Sequence, residues 1–437
     1  MKKRFAIAAR HGLLLPLLLA IAACASFEPR AVDVKRGPAE IHTDSENGVT
    51  VSTTILSDGQ AKHLYGVDIA DEGLQAVWLR IENNSEHAHW LLVPSLDADY
   101  YPPGEAAALF RAGFNEAEEK AITEHFRKLA IPLKSAPGTV NEGYVLTPRQ
   151  EGGRYIVIEL LGSESLLSFG FAVTLPDGDF DFERLHPLAI YGENERPDLG
   201  LEGLRAALQA LPCCARDESG ELNGDPLNLV VIGQVSDVLA AMSRAGWSFT
   251  HRIDFSTAKR MIEAALAGNP YPVAPVSPLY FLGRPQDMAL QRARANIVQR
   301  NHLRLWLAPF RFEGRSVWVG QISCDVAIKA TTKSSTLTTH VIDSNVDEAR
   351  EHLLQSLMNA GAIERFAFVE SMEPAPASAP RLNLTEDPYF TDGLRLVVMV
   401  SSSGVVSPEE IEFIEWQRSV DPIRDARQEP TPVNEED

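Results

Sequence analysis

Apolar residues recur along this chain with two different periods, and the change between them marks out its elements. Residues 49–56 are rich in β-branched side chains, with Val49, Thr50, Val51, Thr53, Thr54 and Ile55. Residues 76–82 alternate: Val77, Leu79 and Ile81 fall on one face, and Trp78, Arg80 and Glu82 on the other. That two-residue period belongs to a half-buried strand. Asn83, Asn84 and Ser85 make a turn, residues 90–93 return, and 143–146, 155–160 and 169–173 read as further strands. Short strands divided by turn signals predict an antiparallel β-sandwich. The period lengthens between residues 105 and 129. A short helix fits 105–110, and Asn115 caps a second one with Glu118 at its third position. Ile122, Phe126 and Leu129 give that helix one apolar face, and Pro132 ends it. The insertion is expected to pack on the sandwich, with a partner-binding lid as the alternative.

Around residues 177–200 the chain turns polar (Asp177, Gly178, Asp179, Glu193, Asn194, Glu195), which places a domain boundary there. Beyond it strands and helices mix. Residues 227–233 read as a buried strand, and Ser236 caps a helix through Leu239 and Met242 that stops at Gly246. A helix over 257–266, strands over 302–306 and 316–330, a helix from Asp347 to about Ala360 and a strand over 366–369 follow. A Pro/Ala linker at 373–380 precedes a last apolar strand at 394–400. The predicted class is α+β: a tether at 24–41, a sandwich at 42–192, a mixed α+β domain at 193–415 and a disordered acidic tail at 416–437.

The first residues carry an address. Lys2, Lys3, Arg4 and Arg10 precede an apolar run from Leu13 to Ala23, which is short of the roughly 20 residues of a spanning helix and reads as an export signal. Ala22 and Ala23 stand directly before Cys24. This arrangement resembles the lipobox of bacterial lipoproteins. The resemblance implies cleavage before Cys24, acylation of its thiol and new amino group (a palmitate-type anchor), and loss of residues 1–23 as a signal peptide. Ala25 and Ser26 lack the Asp of inner-membrane retention, so the same resemblance implies the periplasmic face of the outer membrane. The mature chain would hold 36 Lys and Arg against 60 Asp and Glu, a net charge near −24. Such a body repels nucleic acid and anionic lipid, so membrane attachment falls to the acyl chains. Cys213, Cys214 and Cys324 permit a disulfide in an exported compartment, with Cys324 bridged to one of the neighbours as one pairing. No ligand spacing supports a metal, and no motif supports a cofactor.

The densest polar stretch lies between residues 277 and 350. Gly283, Arg284, Pro285, Gln286 and Asp287 lead into Arg300, Asn301, His302, Leu303, Arg304, Leu305 and Trp306. Trp318, Asp325, His340, Asp343 and Asp347 follow. These segments resemble the LssY-like C-terminal domain family of bacterial envelope proteins, from about Gly224 to Glu370 with the 389–393 stretch. Some members of that family join the domain to membrane phosphatase-like modules; this chain carries an anchor and a sandwich instead. The family supplies no established reaction to transfer.

Alternation over 300–306 places Arg300, His302, Arg304 and Trp306 on one strand face. With Arg284 and His340 they form a candidate clamp for a phosphate or carboxylate, since guanidinium offers paired donors. The competing reading, which we adopt, pairs these groups internally with Asp287, Asp325, Asp343 and Asp347. Catalytic signals are sparse. His-Glu-x-x-His spacing, a Gly-x-Ser-x-Gly elbow and a phosphate-cradling glycine loop are all missing. The expected function is therefore a non-catalytic binding or assembly factor for an envelope protein or an anionic lipid or glycan. The rival is a hydrolase of a phosphorylated or acylated substrate, with His302, His340 and nearby carboxylates as acid–base groups.

Overall fold

The computed structural model describes residues 27–36, 40–110, 114–150, 153–163, 165–174, 190–192, 196–249, 278–293, 300–330, 338–402 and 405–417. Cys24, the 257–266 helix and most of the acidic tail lie outside them. The chain is α+β. Its first half is a sandwich of two antiparallel four-stranded sheets. One runs His42–Glu46, Val49–Ile55, Leu74–Asn83, Thr139–Pro148; the other runs Lys134–Ser135, His89–Leu92, Gly153–Leu161, Leu166–Thr174. Val77, Leu79 and Ile81 meet Ile156, Ile158 and Phe169 between the sheets. The alternate residues Ala76 and Trp78 are buried too, because helices Asp58–Tyr65 and Glu116–Leu129 cover the outer face with Tyr65, Ile122 and Phe126. The insertion is thus a packed layer. Asn115 accepts from the amides of Ala117 and Glu118, and Glu118 returns a carboxylate to the Asn115 amide at 3.1 Å, so the capping box forms. Behind this helix the chain crosses Gly143 so closely that a Cβ there would lie 2.6 Å from the Ile131 backbone.

Residues 27–36, expected as part of a loose tether, lie against this helical layer. The Phe27 ring meets His125 edge-on at 5.7 Å, and the Arg30 amide donates to the His63 carbonyl at 2.6 Å. Gly66, with φ 70°, admits Pro29; a Cβ at Gly66 would stand 2.8 Å from the Pro29 nitrogen. Val34 joins the core beneath the helices. Apolar side chains at 27, 32 and 34 dock the segment that its prolines and mixed charges presented as spacer.

The second half is built on a long mixed sheet. Its order is Ser248–Phe249, Met288–Ala293, Arg300–Phe312, Arg315–Ala330, Leu229–Ile232, Leu394–Val400, Ile363–Glu370, Glu412–Ile414. Thr338–Ile342 pairs the far end of Arg315–Ala330. One face, with Leu303, Leu305, Ile322 and Val398, packs under helices Val235–Arg244 and Val346–Asn359. The other, with Val230, Trp306, Val319 and Val397, lies under helix Leu201–Gln209 and a small sheet containing Cys214–Arg216 and Tyr280–Phe281. Two expected boundaries shift. Helix Val235–Arg244 has Gln234 rather than Ser236 at its cap, and the 346–359 helix opens one residue before Asp347. The 373–380 stretch is not a free linker. Ala375 exchanges both backbone hydrogen bonds with Thr391 at 2.9 Å and is buried.

The cysteine pairing differs from the bridge expected at Cys324. Neighbouring Cys213 and Cys214 are joined to each other, and Cys324 remains a thiol. The sheet itself separates them: Cys324 packs toward the Leu303 face, while Ala215 beside Cys214 packs on the Trp306 face. The halves also meet. Tyr155 and Val157 on the outer sandwich face enter the core under helix Val235–Arg244, and Ser243 Oγ donates to the Tyr155 carbonyl at 2.9 Å. Among the described residues, no helix is long and apolar enough to cross a membrane.

Candidate functional site

Register, more than sequence proximity, assembles the polar face. Strand Arg300–Phe312 runs antiparallel to Arg315–Ala330 with Arg300 opposite Asp325, His302 opposite Ser323 and Arg304 opposite Gln321. Directly opposed side chains share a face, and here they link into one network. Arg300 donates from Nε to Asp325 Oδ2 at 3.1 Å and from Nη1 to Gln291 Oε1. Arg304 donates to Gln321 Oε1 at 2.6 Å, and Gln321 Nε2 donates to Ser323 Oγ at 2.9 Å. Ser323 Oγ lies 2.9 Å from His302 Nε2. All are buried, Arg300 at 2% exposure and Asp325 at 0%. Burial pulls the Arg304 guanidinium down to about 10, opposed by Asp225 and Asp325. Trp306 is fully buried with its ring edge-on to Phe281 at 6.0 Å, so its indole is core. The proposed clamp is closed: its donors are directed at neighbours inside the fold.

His302 has a carboxylate on its Nδ1 side and a serine hydroxyl on its Nε2 side, the order of groups in a serine hydrolase relay. Two features oppose that chemistry. Ser323 is 1% exposed, and its oxygen also receives the Gln321 amide. His302 Nδ1 stands 3.1 Å from Asp325 Oδ1 without hydrogen-bond alignment. A nucleophile must reach substrate; this hydroxyl faces protein.

The remaining candidates scatter. Arg284 pairs with Asp287 through Nε at 3.1 Å and Nη2 at 3.0 Å, and Asp287 also accepts the Leu307 amide. Asp343 accepts the Asn345 amide. His340 pairs in register with Ile328, whereas His302 pairs with Ser323 from the other side of that strand. At about 3.3 Å per residue the two histidine positions are roughly 16 Å apart along it; the His340 side chain lies outside the described residues. Asp347 accepts from Thr391 Oγ1 at 2.8 Å and the Asp392 amide at 2.7 Å. Its carboxyl is pushed up to about 6 by burial and by the Asp392 charge, with Arg350 opposing. Among the described residues, no group of His, Cys, Asp and Glu is placed to hold a metal ion.

Sequence reading passed over Arg395. It is fully buried and donates to the carbonyls of Leu208, Pro212 and Leu227. A single charge inside the apolar run 394–400 was the available signal. The reading also passed over a cleft of about 640 Å³ between the two halves, walled by Asp97, Arg154, Tyr155 and Glu159 of the sandwich and by Arg244 and Trp247 beyond it. No sequence signal marks it, since its walls come together only when the halves dock.

Residues 208–394 match the family model described as the LssY C-terminus. The chain carries an LssY-like C-terminal domain. No curated protein and no solved structure matches the chain. The matched stretch begins in helix Leu201–Gln209 and ends on the first residue of Leu394–Val400. It therefore contains the closed polar face, Arg350 and Asp392, while the sandwich lies outside it. In the LssY-like domain Arg300 and His302 meet Asp325, and Arg284 meets Asp287, inside the fold. They specify strand register, because a one-residue slip would turn buried charges into the Leu303 core.

Proposed function

We propose that the chain is a lipid-anchored protein of the bacterial cell envelope, facing the periplasm at the outer membrane, that binds an envelope partner or ligand without catalysing a reaction. The docking of residues 27–36 carries this reading. Cys24 precedes Phe27 by three residues, and an extended chain covers at most about 3.6 Å per residue. Acyl chains on Cys24 would then hold the helical layer within roughly 11 Å of the bilayer surface. The body's negative charge supplies no attraction to anionic lipid, so the anchor does this work. Burial of Ser323 and His302 speaks against the hydrolase alternative. Both halves contribute walls to the interdomain cleft, which supports recognition by the two together.

Metabolic labelling with palmitate and fractionation of cells test the anchor. Wild-type protein takes up label and sediments with outer membrane, while Cys24→Ala loses label and appears in the soluble periplasmic fraction. Unlabelled protein that stays in the membrane rejects the reading. In-cell crosslinking of the labelled protein should capture an envelope component; its consistent absence removes the binding role.

A further inference from the structure

We infer that the free edge of strand Leu166–Thr174 receives an extended segment of another envelope protein, apolar and basic but not acidic, as a fifth strand of its sheet. The inference rests on the binding reading above, names the partner's chemistry and is independent of the anchor. Sheet order leaves this strand paired on one side only, to Gly153–Leu161. The Gly162 amide donates to the Ser165 carbonyl at 2.7 Å, so 162 and 165 are a hydrogen-bonded pair at the end of the hairpin. Such pairs alternate along an antiparallel ladder. Leu167, Phe169, Phe171 and Val173 therefore bond to the neighbouring strand, while the amides and carbonyls of Leu166, Ser168, Gly170 and Ala172 point outward. Among the described residues these outward groups have no partner, and Gly170 is exposed. Donors and acceptors repeating at two-residue spacing, about 6.8 Å, are matched by another strand.

The sandwich guards its other edges. Lys134–Ser135 is two residues long. Thr139–Pro148 is met by Tyr101 at Leu146 and by Ala130 at Tyr144, and its Asn141 side chain reaches the Lys134 carbonyl. His42–Glu46 exposes Asp44 and Glu46. Short length, cover and charge protect an edge from pairing. Leu166–Thr174, by contrast, has nine residues with no charge and no proline. Its surroundings define the partner. Trp90, Leu161 and Leu166 stand opposite one another across three strands and are 48%, 48% and 39% exposed, so an apolar side chain beside Leu166 extends their row. The acidic strand His42–Glu46 of the facing sheet passes alongside the edge. A Cβ on Gly170 would overlap the Tyr155 hydroxyl, which burial and the charges of Asp237 and Asp44 push up to about 12, against Arg244. Carboxylates therefore flank the open backbone groups, and a segment with basic side chains is attracted there. A second copy of the chain would bring another acidic His42–Glu46 strand, and the chain's own next residues include Asp177, Asp179, Asp181 and Glu183.

Full-length protein in detergent is titrated with a fluorescent, end-capped nonapeptide alternating valine and lysine, and binding is read by anisotropy. Two control peptides keep its length. One has glutamate in place of lysine; the other is N-methylated throughout, which keeps the charge and removes every amide donor. The lysine peptide is expected to bind saturably, and each control at least about tenfold more weakly. Ser168→Pro removes an outward N–H and leaves the ladder to Gly153–Leu161 whole. It should weaken binding about tenfold with an unchanged unfolding midpoint. Exposed Leu166→Lys should weaken it severalfold and guards against a folding defect in the first variant. No saturable binding to folded protein, equal affinity for the N-methylated peptide, or undiminished binding by both variants would overturn the assignment. So would a wild-type dimer that is lost in Ser168→Pro, because the occupant would then be a second copy. None of these outcomes alters the palmitate labelling of Cys24, and an envelope partner crosslinked in cells without peptide binding removes the edge assignment alone.

Discussion

The guanidinium of Arg350 meets the carboxylate of Asp392 across two parallel hydrogen bonds of 3.0 and 2.9 Å, in a site where Arg350 is 0% exposed. The pair joins helix Val346–Asn359 to the turn before strand Leu394–Val400, and Arg350 also reaches the Leu394 carbonyl and lies 5.2 Å over the Phe368 ring. Removing Asp392 leaves the buried Arg350 with only Asp347 at 3.4 Å and the partly exposed Glu351 at 3.1 Å as carboxylate partners. Asp392→Ala is expected to cost about 3–5 kcal/mol, read as a lowered denaturation midpoint; a loss below about 1 kcal/mol would show the fork to be dispensable.

Asp347, one turn before Arg350, gives the domain a pH dependence of defined sign. Its carboxyl titrates near 6 in the fold against about 3.9 in an unfolded chain. On acidification the folded state takes up this proton first, so the Asp347 contribution favours folding increasingly as pH falls from about 6 to about 4. Above about pH 6 it is ionised in both states and the fold bears the full burial cost. Asp347→Asn keeps its Oδ1 as acceptor for the Asp392 amide, and its Nδ2 donates to the Thr391 hydroxyl oxygen in place of accepting from it. Relative to wild type, its stability should gain as pH rises through this window. A difference that does not vary with pH contradicts the assignment.

Ser323 separates the binding and hydrolase readings. A fluorophosphonate probe is expected to leave native protein unlabelled, because the hydroxyl is shielded. Ser323→Ala should lower stability by about 1–3 kcal/mol, since it leaves the Gln321 amide and His302 Nε2 unpartnered. Labelling abolished by Ser323→Ala would make the serine a nucleophile.

Alkylation in denaturant reads the cysteines. Without reductant, acylated protein should expose one thiol, Cys324, and with reductant also Cys213 and Cys214. Protection of Cys324 before reduction would restore the pairing anticipated from sequence.

Two periods in the apolar pattern determined much of this molecule. Alternation over 76–82 fixed which residues lie between the sandwich sheets, and the four-three spacing of Ile122, Phe126 and Leu129 fixed the helix that covers the outer face over Ala76 and Trp78. Local chemistry sufficed there, because strand and helix geometry dictate which side chains share a face. The same alternation put Arg300, His302 and Arg304 together, yet it left open whether that face met solvent or protein. Only the tertiary structure decided it. Helix Leu201–Gln209 and the small sheet cover that side of the domain, and the charged groups satisfy one another in register. Docking likewise decided the fate of residues 27–36 and created the cleft beside Arg154 and Trp247. Burial depends on which surfaces meet through space, and that information is spread over segments about a hundred positions apart, as for Phe27 and His125.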